Sequence, residues 1–138
     1  MLDSEAGILL VEDDRVDIMT VQRAFKKNNI GNPLHIARTG HEALAMLRGD
    51  GQPKIDPPPE LILLDLNLPR MSGIEFLQAL RADPQLQSLR IIVPTSSNEP
   101  RDREAAFRYD VDDYIVKPHS FEEFSRAMAT VIALWDAD

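Results

Sequence analysis

Five short, mainly apolar runs recur along the chain, and a longer amphipathic stretch follows each of them. Apolar runs of this length are typical of strands buried on both faces, as in a parallel sheet covered by helices. The runs are GILLV (7–11), LHIA (34–37), LILL (61–64), RIIVPT (90–95) and YIV (114–116). We therefore predict one strand at each of them.

Between the runs, apolar residues recur at intervals of three and four, the spacing of a helix with one inward face. The predicted helices begin at Arg15, after Thr39-Gly40, near Ile74, at Arg101 and after Ser120, and the last extends to about Trp135. Glu123, three residues after Ser120, matches a reciprocal helix cap. This alternation predicts one α/β domain with a doubly wound parallel sheet, right-handed crossovers and helices on both faces.

Polar residues stand at the ends of four predicted strands. Glu12-Asp13 follow the first strand and Asp65 follows the third, while Thr95 ends the fourth and Lys117 follows the fifth. Ligands of open α/β sheets bind outside the carboxyl ends of the strands, so these groups are expected to share one pocket. Singly, each residue is better explained as a helix cap, a surface ion pair or a loop residue. Together they indicate a site.

The predicted pocket combines three carboxylates with a lysine and a hydroxyl. Packed carboxylates raise one another's pKa, and a hard divalent cation relieves their repulsion. Mg2+ prefers carboxylate oxygens and water as ligands. These groups predict a Mg2+-dependent site that holds a phosphoryl group on an accessible carboxylate.

Composition narrows the class of protein further. The 138 residues suffice for one domain, and the absence of cysteine excludes disulfides, thiolate metal sites and thiol nucleophiles. A net charge of −8 argues against a nucleic acid partner, which needs clustered basic residues. No apolar run reaches the ~20 residues of a membrane span, and the first residues resemble no leader. We expect a cytoplasmic protein with no membrane or nucleic acid partner.

The strand-end segments together resemble those of response regulator receiver domains of two-component systems. The segments are ILLVEDD (8–14), LILLDLNLPRMSG (61–73), PTSS (94–97) and YIVKP (114–118), and the resemblance covers nearly the whole chain. It implies the flavodoxin-like receiver fold, with five strands in the order 2-1-3-4-5 and five helices. It also implies a single receiver domain over 1–138, with a core at about 7–135 and no output domain.

The resemblance assigns the metal and the phosphoacceptor by position. Asp65 would be the phosphoacceptor and would also bind Mg2+, for which Mn2+ is an alternative. Asp13 would bind the metal directly, and Glu12 mainly through water. The backbone carbonyl of Asn67 would complete the protein ligands.

The resemblance also assigns the phosphoryl-binding and switch residues. Thr95 and Lys117 would bind the phosphoryl oxygens, and Tyr114 would be the switch aromatic. The peptide bond at 117–118 would be cis. Asn67 and Ser97 lie two residues beyond Asp65 and Thr95, so their side chains are expected to flank the attacking water and to tune the lifetime of the phosphoryl group.

The implied function is a phosphorylation switch rather than turnover of a small substrate. A sensor histidine kinase or a histidine phosphotransfer protein would present phosphohistidine to Asp65. Phosphorylation would then change the face made by the fourth helix, fifth strand and fifth helix. The chain is also similar to small stand-alone regulators that partner bacterial phytochrome kinases, in its Pro-rich loop before the third strand, TSSNEPRD (95–102) and its tryptophan near the C-terminus.

Three alternatives stay open at this point. The protein could be a phosphorelay intermediate or phosphate sink without a direct output. It could be a phosphatase of the haloacid dehalogenase type, although there the nucleophile follows the first strand and a second aspartate stands where this chain has Asn67. It could be an interaction domain without phosphorylation, although such degenerate receivers lose members of the acidic–Thr–Lys set, and none is lost here.

Two residues depart from the family pattern, and both bear on the mobility of the loop that carries Thr95. Pro94 replaces a branched apolar residue and lacks an N–H, so it is expected at the very end of the fourth strand. Asp110 replaces the glycine common before the fifth strand.

The last predicted helix is apolar on more than one side. A core-facing stripe comprises Phe121, Phe124, Met128, Val131 and Trp135, and the surplus apolar residues are Ala127, Ile132, Ala133 and Leu134. Nearby arginines and aspartates supply both signs of charge, which suits a two-fold contact. We expect a homodimer through the fourth helix, fifth strand and fifth helix. The alternative is ordinary scattered surface residues.

Overall fold

The computed structural model describes residues 6–118 and 120–136, without the side chains of 133–136. The strands are β1 (Ile8–Val11), β2 (Leu34–Ala37), β3 (Leu61–Leu64), β4 (Arg90–Thr95) and β5 (Asp113–Val116). The helices are α1 (Arg15–Lys27), α2 (Gly40–Arg48), α3 (Gly73–Ala82), α4 (Pro100–Phe107) and α5 (Phe121–Asp136). Every predicted element is present. In the part of the chain so described, no helix combines the length and apolar character needed to cross a membrane.

The strands form one parallel sheet in the order β2-β1-β3-β4-β5, which confirms the doubly wound α/β topology. β1 and β3 are paired to their ends, where Val11 lies opposite Leu64. β4 pairs with β3 as far as Ile92 and continues along β5 to Thr95, opposite Val116. The residues that follow these strands therefore leave the sheet at one edge.

A hydrophobic layer covers each face of the sheet, because successive strand residues point to opposite faces. Leu9 and Val11 of β1 pack in the layer with α2 and α3, whereas Ile8 and Leu10 pack in the layer with α1 and α5. Complete burial of a leucine or isoleucine side chain contributes about 1.5–3 kcal/mol. Since β1 and β3 are buried on both faces, packing holds their ends, and the loops that follow start from fixed positions.

Side-chain caps set where several helices begin. Asp14 Oδ1 accepts the N–H of Val16 at 2.8 Å and starts α1. Ser72 begins α3 with a capping box. The Ser120 hydroxyl accepts the N–H of Glu123 at 3.1 Å, at the position predicted for the start of α5. A cap of this kind is worth about 1 kcal/mol.

Both departures from the family pattern occupy special backbone positions. Pro94 is the second-last residue of β4, beyond the last β3–β4 pair at Ile92, so its missing N–H falls where pairing with β3 has ended. Asp110 has φ +55°, in the left-handed region that favours glycine. The turn before β5 therefore keeps the conformation that a glycine would adopt there.

The expected cis bond at Lys117–Pro118 is wrong. Within residues 6–118 the cis peptide bond is Asp56–Pro57, in the loop before β3, and Lys117–Pro118 is trans. An X–Pro bond prefers trans by about 0.5–1 kcal/mol. The Lys117 contacts described below are all made with the trans bond.

α5 buries more of its apolar surface than we predicted from the sequence. Ile132, expected among the surplus residues, is 6% exposed and packs in the layer shared with α1. The reason is that α5 is covered by the sheet and also by α1, so a wider sector of the helix is buried. The other surplus or stripe residues at the end of the helix lie outside the described side chains: Ala133, Leu134 and Trp135.

Candidate functional site

The loops after β1, β3, β4 and β5 converge at the carboxyl edge of the sheet. Parallel pairing extends past the strands there: the Asp65 N–H donates to Val11 O at 3.1 Å. The Lys117 N–H likewise donates to Thr95 O at 2.8 Å. Glu12 and Asp65 are only 2% and 5% exposed although both are acidic. Burial of two carboxyl groups at this edge requires compensating charge or hydrogen bonds.

The Lys117 ammonium supplies that compensation. Its Nζ donates to Glu12 Oε1 at 2.8 Å, to Asp65 Oδ2 at 3.0 Å and to Asp17 Oδ2 at 3.1 Å. An ammonium group has three N–H donors, so these three carboxylates use them all. The structure thus brings together Glu12, Asp65 and Lys117, as predicted, and adds Asp17.

The two oxygens of Asp65 have different partners. Oδ1 accepts the backbone N–H of Asn67 at 3.0 Å and the hydroxyl of Thr95 at 3.2 Å, while Oδ2 accepts from Lys117. Thr95 is fully buried. A group attached to Asp65 would therefore lie next to one hydroxyl and one ammonium donor.

These contacts decide the protonation of the phosphoacceptor candidate. Burial raises the pKa of the Asp65 carboxyl, but the Asn67 N–H and the Lys117 ammonium lower it by more, so its pKa lies below the usual value. Asp65 is ionised at neutral pH. An ionised carboxylate is the form that acts as a nucleophile.

The pKa values of the two neighbours of Asp65, Glu12 and Lys117, are raised rather than lowered. Burial raises the pKa of Glu12 to about 7, against the lowering effect of Lys117. Burial lowers the pKa of Lys117, but Glu12 and Asp65 raise it by more, so this pKa lies above its usual value. The site therefore keeps its cation while the carboxylates compete for it, as expected for packed like charges.

The carboxylates also suit a divalent cation. Glu12, Asp17 and Asp65 each place one oxygen within 4.8 Å of the others. Mg2+ and Mn2+ take carboxylate oxygens as ligands. Because the pKa of Glu12 is about 7, that carboxyl is only partly ionised at neutral pH. A divalent cation bound there would favour its ionised form and neutralise the negative charge that Lys117 leaves unpaired. The residues present thus fit the metal that the sequence implies.

The structure places Asp17, for which no role was predicted, in the carboxylate cluster, and Asp13 outside it. Asp13, predicted to bind the metal directly, is exposed and does not belong to the carboxylate cluster found among the described residues. Asp17 joins that cluster although we had not singled it out. Its signal in the sequence was a place in the first turn of a helix, where side chains lean back toward the N-terminal end. The role of Asp13 as a ligand stays a prediction.

The side chains of Asn67 and Ser97 are engaged with the loop after β4. Asn67 Nδ2 donates to Ser96 Oγ at 3.2 Å, and the Ser97 hydroxyl donates to Asp102 of α4. Asn67 reaches Asp65 through its backbone N–H instead. Their effect on phosphoryl lifetime stays a prediction, which label loss from the two alanine variants would measure.

Tyr114 points inward in this structure. The residue is 6% exposed, and its hydroxyl donates to Ser97 O at 3.0 Å. On its outer side lie the Phe107 ring, with centroids 6.5 Å apart, and the Arg103 guanidinium, 5.5 Å from the Tyr114 centroid. The tyrosine therefore connects the loop next to Thr95 with the surface of α4.

Gly73 allows the loop after β3 to close. Its N–H donates to Leu66 O at 3.0 Å. A Cβ at this position would lie 2.5 Å from Leu66 Cα and 2.9 Å from Asp65 O. Both neighbours are backbone atoms of the loop that carries the phosphoacceptor candidate, so they cannot move away without moving Asp65.

We expect the Gly73→Ala substitution to lower the free energy of unfolding by about 1–3 kcal/mol, as overpacking of a closed site does. Urea denaturation measures the change. Gly31→Ala is the matched control, because a Cβ at Gly31 meets nothing within 4 Å. Equal midpoints for the two variants would contradict the close approach.

The chain matches the response regulator receiver domain over residues 8–129. Response regulator Rcp1 of Synechocystis sp. is 34% identical over 128 residues, which cover 93% of this chain and 87% of Rcp1. The family match over residues 8–129 spans all four strand-end loops as well as the sheet.

Two solved structures resemble the whole chain. The phosphorylated cyanobacterial phytochrome response regulator RcpA is 31% identical, with a TM-score of 0.88 and coverage of 95% of this chain and 94% of RcpA. The Mn2+-bound form of Rcp1 is 32% identical, with a TM-score of 0.82 and coverage of 94% of each chain. One relative thus carries a phosphoryl group and the other a divalent cation.

Proposed function

This chain belongs to the response regulator receiver family, and on that premise we propose that Asp65 accepts a phosphoryl group from the phosphohistidine of a sensor histidine kinase. The observation that carries the proposal is the position of ionised Asp65 between the Thr95 hydroxyl and the Lys117 ammonium. Ammonium and hydroxyl donors beside a nucleophilic carboxylate can stabilise the negative charge on the oxygens of a phosphoryl group during its transfer.

In the proposed reaction an Asp65 oxygen attacks phosphorus in line with the leaving imidazole. A P–O bond forms, the P–N bond of phosphohistidine breaks, and its electron pair returns to the imidazole. Positioning and charge stabilisation supply most of the catalysis in phosphoryl transfer. Thr95 and Lys117 would donate hydrogen bonds to the transferred oxygens.

We propose Mg2+ as the metal, with Mn2+ as an alternative. Glu12, Asp13, Asp65 and the backbone carbonyl of Asn67 would hold it. A divalent cation bound there would neutralise negative charge on the phosphoryl oxygens. Support comes from Glu12 and Asp65, which belong to the carboxylate cluster of this chain, and from Rcp1, whose structure has been solved with Mn2+.

Asp13→Ala is expected to weaken Mg2+ binding by at least about tenfold, the usual scale for losing a metal-site group, and to abolish phosphorylation. Since Asp13 is exposed, the fold should stay intact. Calorimetric titration with Mg2+ and thermal unfolding measure the two effects. Asp14→Asn, which keeps a good helix cap, controls for the lost charge. An unchanged Mg2+ titration would remove Asp13 from the ligand set.

Phosphorylation would reach the α4–β5–α5 face through the loop after β4. The phosphoryl group adds about −1.5 to −2 charge next to Thr95. Two residues further on, the Ser97 carbonyl accepts from Tyr114 and the Ser97 hydroxyl donates to Asp102 of α4. Movement of this loop would therefore be transmitted to α4 and β5. The switch is only as strong as the preference of the phosphoryl group for one arrangement.

The partner we propose is the kinase region of a bacterial phytochrome, because the phytochrome response regulator RcpA is similar to this chain over nearly its whole length. The test mixes labelled, autophosphorylated phytochrome kinase with this protein and Mg2+, with an EDTA sample beside it. Label should move to this protein only with the metal. If a small phosphodonor labels the protein but no phytochrome kinase does, the physiological phosphodonor is another histidine kinase or a histidine phosphotransfer protein. Labelling by neither would refute the function.

We also propose a homodimer through the α4–β5–α5 face. Phe107 and Val116 are exposed there, at 41% and 36%. Phe107→Glu is expected to give a monomer by sedimentation velocity, because a charge replaces the apolar contact. Val16→Glu is the control, since Val16 is 69% exposed but lies on α1. A monomeric wild-type protein at high concentration, with and without the phosphoryl group, would dismiss the dimer.

A further inference from the structure

The three carboxylates around Lys117 are not equivalent. The side chains of Glu12 and Asp65 are 3% and 7% exposed, whereas that of Asp17 is 36% exposed. Asp17 lies in the first turn of α1, and its own N–H donates to Asp14 Oδ1 at 3.2 Å. Its backbone is therefore fixed, while its carboxylate keeps contact with water.

Water can also reach Asp17 from the side away from Asp65. A cavity of about 280 Å3 opens between the start of α1 and the start of α5, lined by Asp17, Thr20, Lys117, Phe121 and Phe124 among others. A carboxylate at the rim of such a cavity can exchange an ammonium partner for water at low cost. A carboxylate as buried as Glu12 or Asp65 loses its ammonium partner at a greater cost, because little water is there to replace it.

Lys117 needs a free donor for the proposed reaction. All three N–H groups of its ammonium are taken by Glu12, Asp17 and Asp65. Donation to a new phosphoryl oxygen therefore requires that one existing bond be given up. The bond to Asp17 is the least costly to lose, for the reasons of exposure just given.

We infer that Asp17 is a positioning residue that holds Lys117 in the unphosphorylated protein and releases it when Asp65 carries a phosphoryl group. The inference rests on the proposed function and adds a residue to it. A contact made in only one of two states favours that state by its own free energy. Asp17 thus opposes phosphorylation, and its removal favours the phosphorylated form.

The test measures beryllofluoride, a phosphoryl mimic, bound at saturating Mg2+ to the wild-type, Asp17→Asn and Asp17→Ala proteins. Asp14→Asn is the matched control, because it removes the same charge from the same segment and retains the cap of α1. Both Asp17 variants should bind the mimic about three- to tenfold more tightly than Asp14→Asn, the scale of one partly exposed charged hydrogen bond.

A second measurement needs neither metal nor mimic. In the metal-free protein, the Lys117 side-chain ammonium resonance, assigned by its loss in Lys117→Ala, should shift in Asp17→Asn but not in Asp14→Asn. Mimic binding to the Asp17 variants that equals or falls below that of Asp14→Asn, or an unmoved resonance, overturns the role of Asp17 alone. A wild-type protein that binds no beryllofluoride overturns the proposed function, and this inference falls with it.

Discussion

The Asp65→Asn protein is expected to take no label from a histidine kinase or from a small phosphodonor. The amide that replaces the carboxylate is not a nucleophile, so the step that forms the P–O bond is lost entirely. The fold should survive, because an asparagine of the same size can keep its one oxygen in the place of Oδ1 and accept from Thr95 and the Asn67 N–H. Lys117 then loses one bond but keeps those to Glu12 and Asp17. Labelling with radioactive phosphate measures the first effect, and thermal unfolding the second.

Asp14→Asn is the control for this experiment, because it removes a nearby carboxylate that is not the proposed phosphoacceptor. That variant should label as the wild-type protein does. Full labelling of Asp65→Asn would show that the phosphoryl group resides elsewhere in the chain.

Replacement of Lys117 by alanine is expected to have two effects. Phosphorylation should fall by a factor of about one hundred or more, the scale for loss of one preorganised donor to a developing charge. In the metal-free protein the free energy of unfolding should also fall by about 2 kcal/mol, because Glu12, Asp17 and Asp65 lose their shared cation. This expected loss is smaller than the loss on breaking a fully buried ion pair, because the Asp17 side chain is 36% exposed and water screens its charge.

Mg2+ should restore most of the stability of Lys117→Ala but not its phosphorylation. A divalent cation can neutralise the carboxylates, but it cannot replace the hydrogen bond from Lys117 to the phosphoryl group. Urea denaturation with and without Mg2+, together with labelling, separates the two effects. Lys26→Ala, which removes an exposed lysine from α1, is the control. Equal metal-free stability of the two lysine variants would mean that Lys117 does not hold the carboxylates together.

The sequence determined the fold and the central groups of the site. Buried apolar runs that alternate with amphipathic stretches admit few arrangements other than a parallel sheet between helices. In that topology the strands end at one edge, so Glu12, Asp65, Thr95 and Lys117 had to converge wherever the helices packed. Their meeting follows from the shared direction of parallel strands, which the alternation of strands and helices predicts. The strand order that brings them side by side came from the family resemblance.

The tertiary structure alone decided the details that depend on how separate elements pack. Whether Asp17 faces Lys117 depends on the rotation of α1 about its axis, which packing against α5 and the sheet sets. The same contact buries Ile132, which its own helix could not reveal. The direction of the Ser97 hydroxyl depends on where α4 places Asp102. Each outcome rests on contacts between elements far apart in the sequence, whose geometry no local pattern of residues encodes.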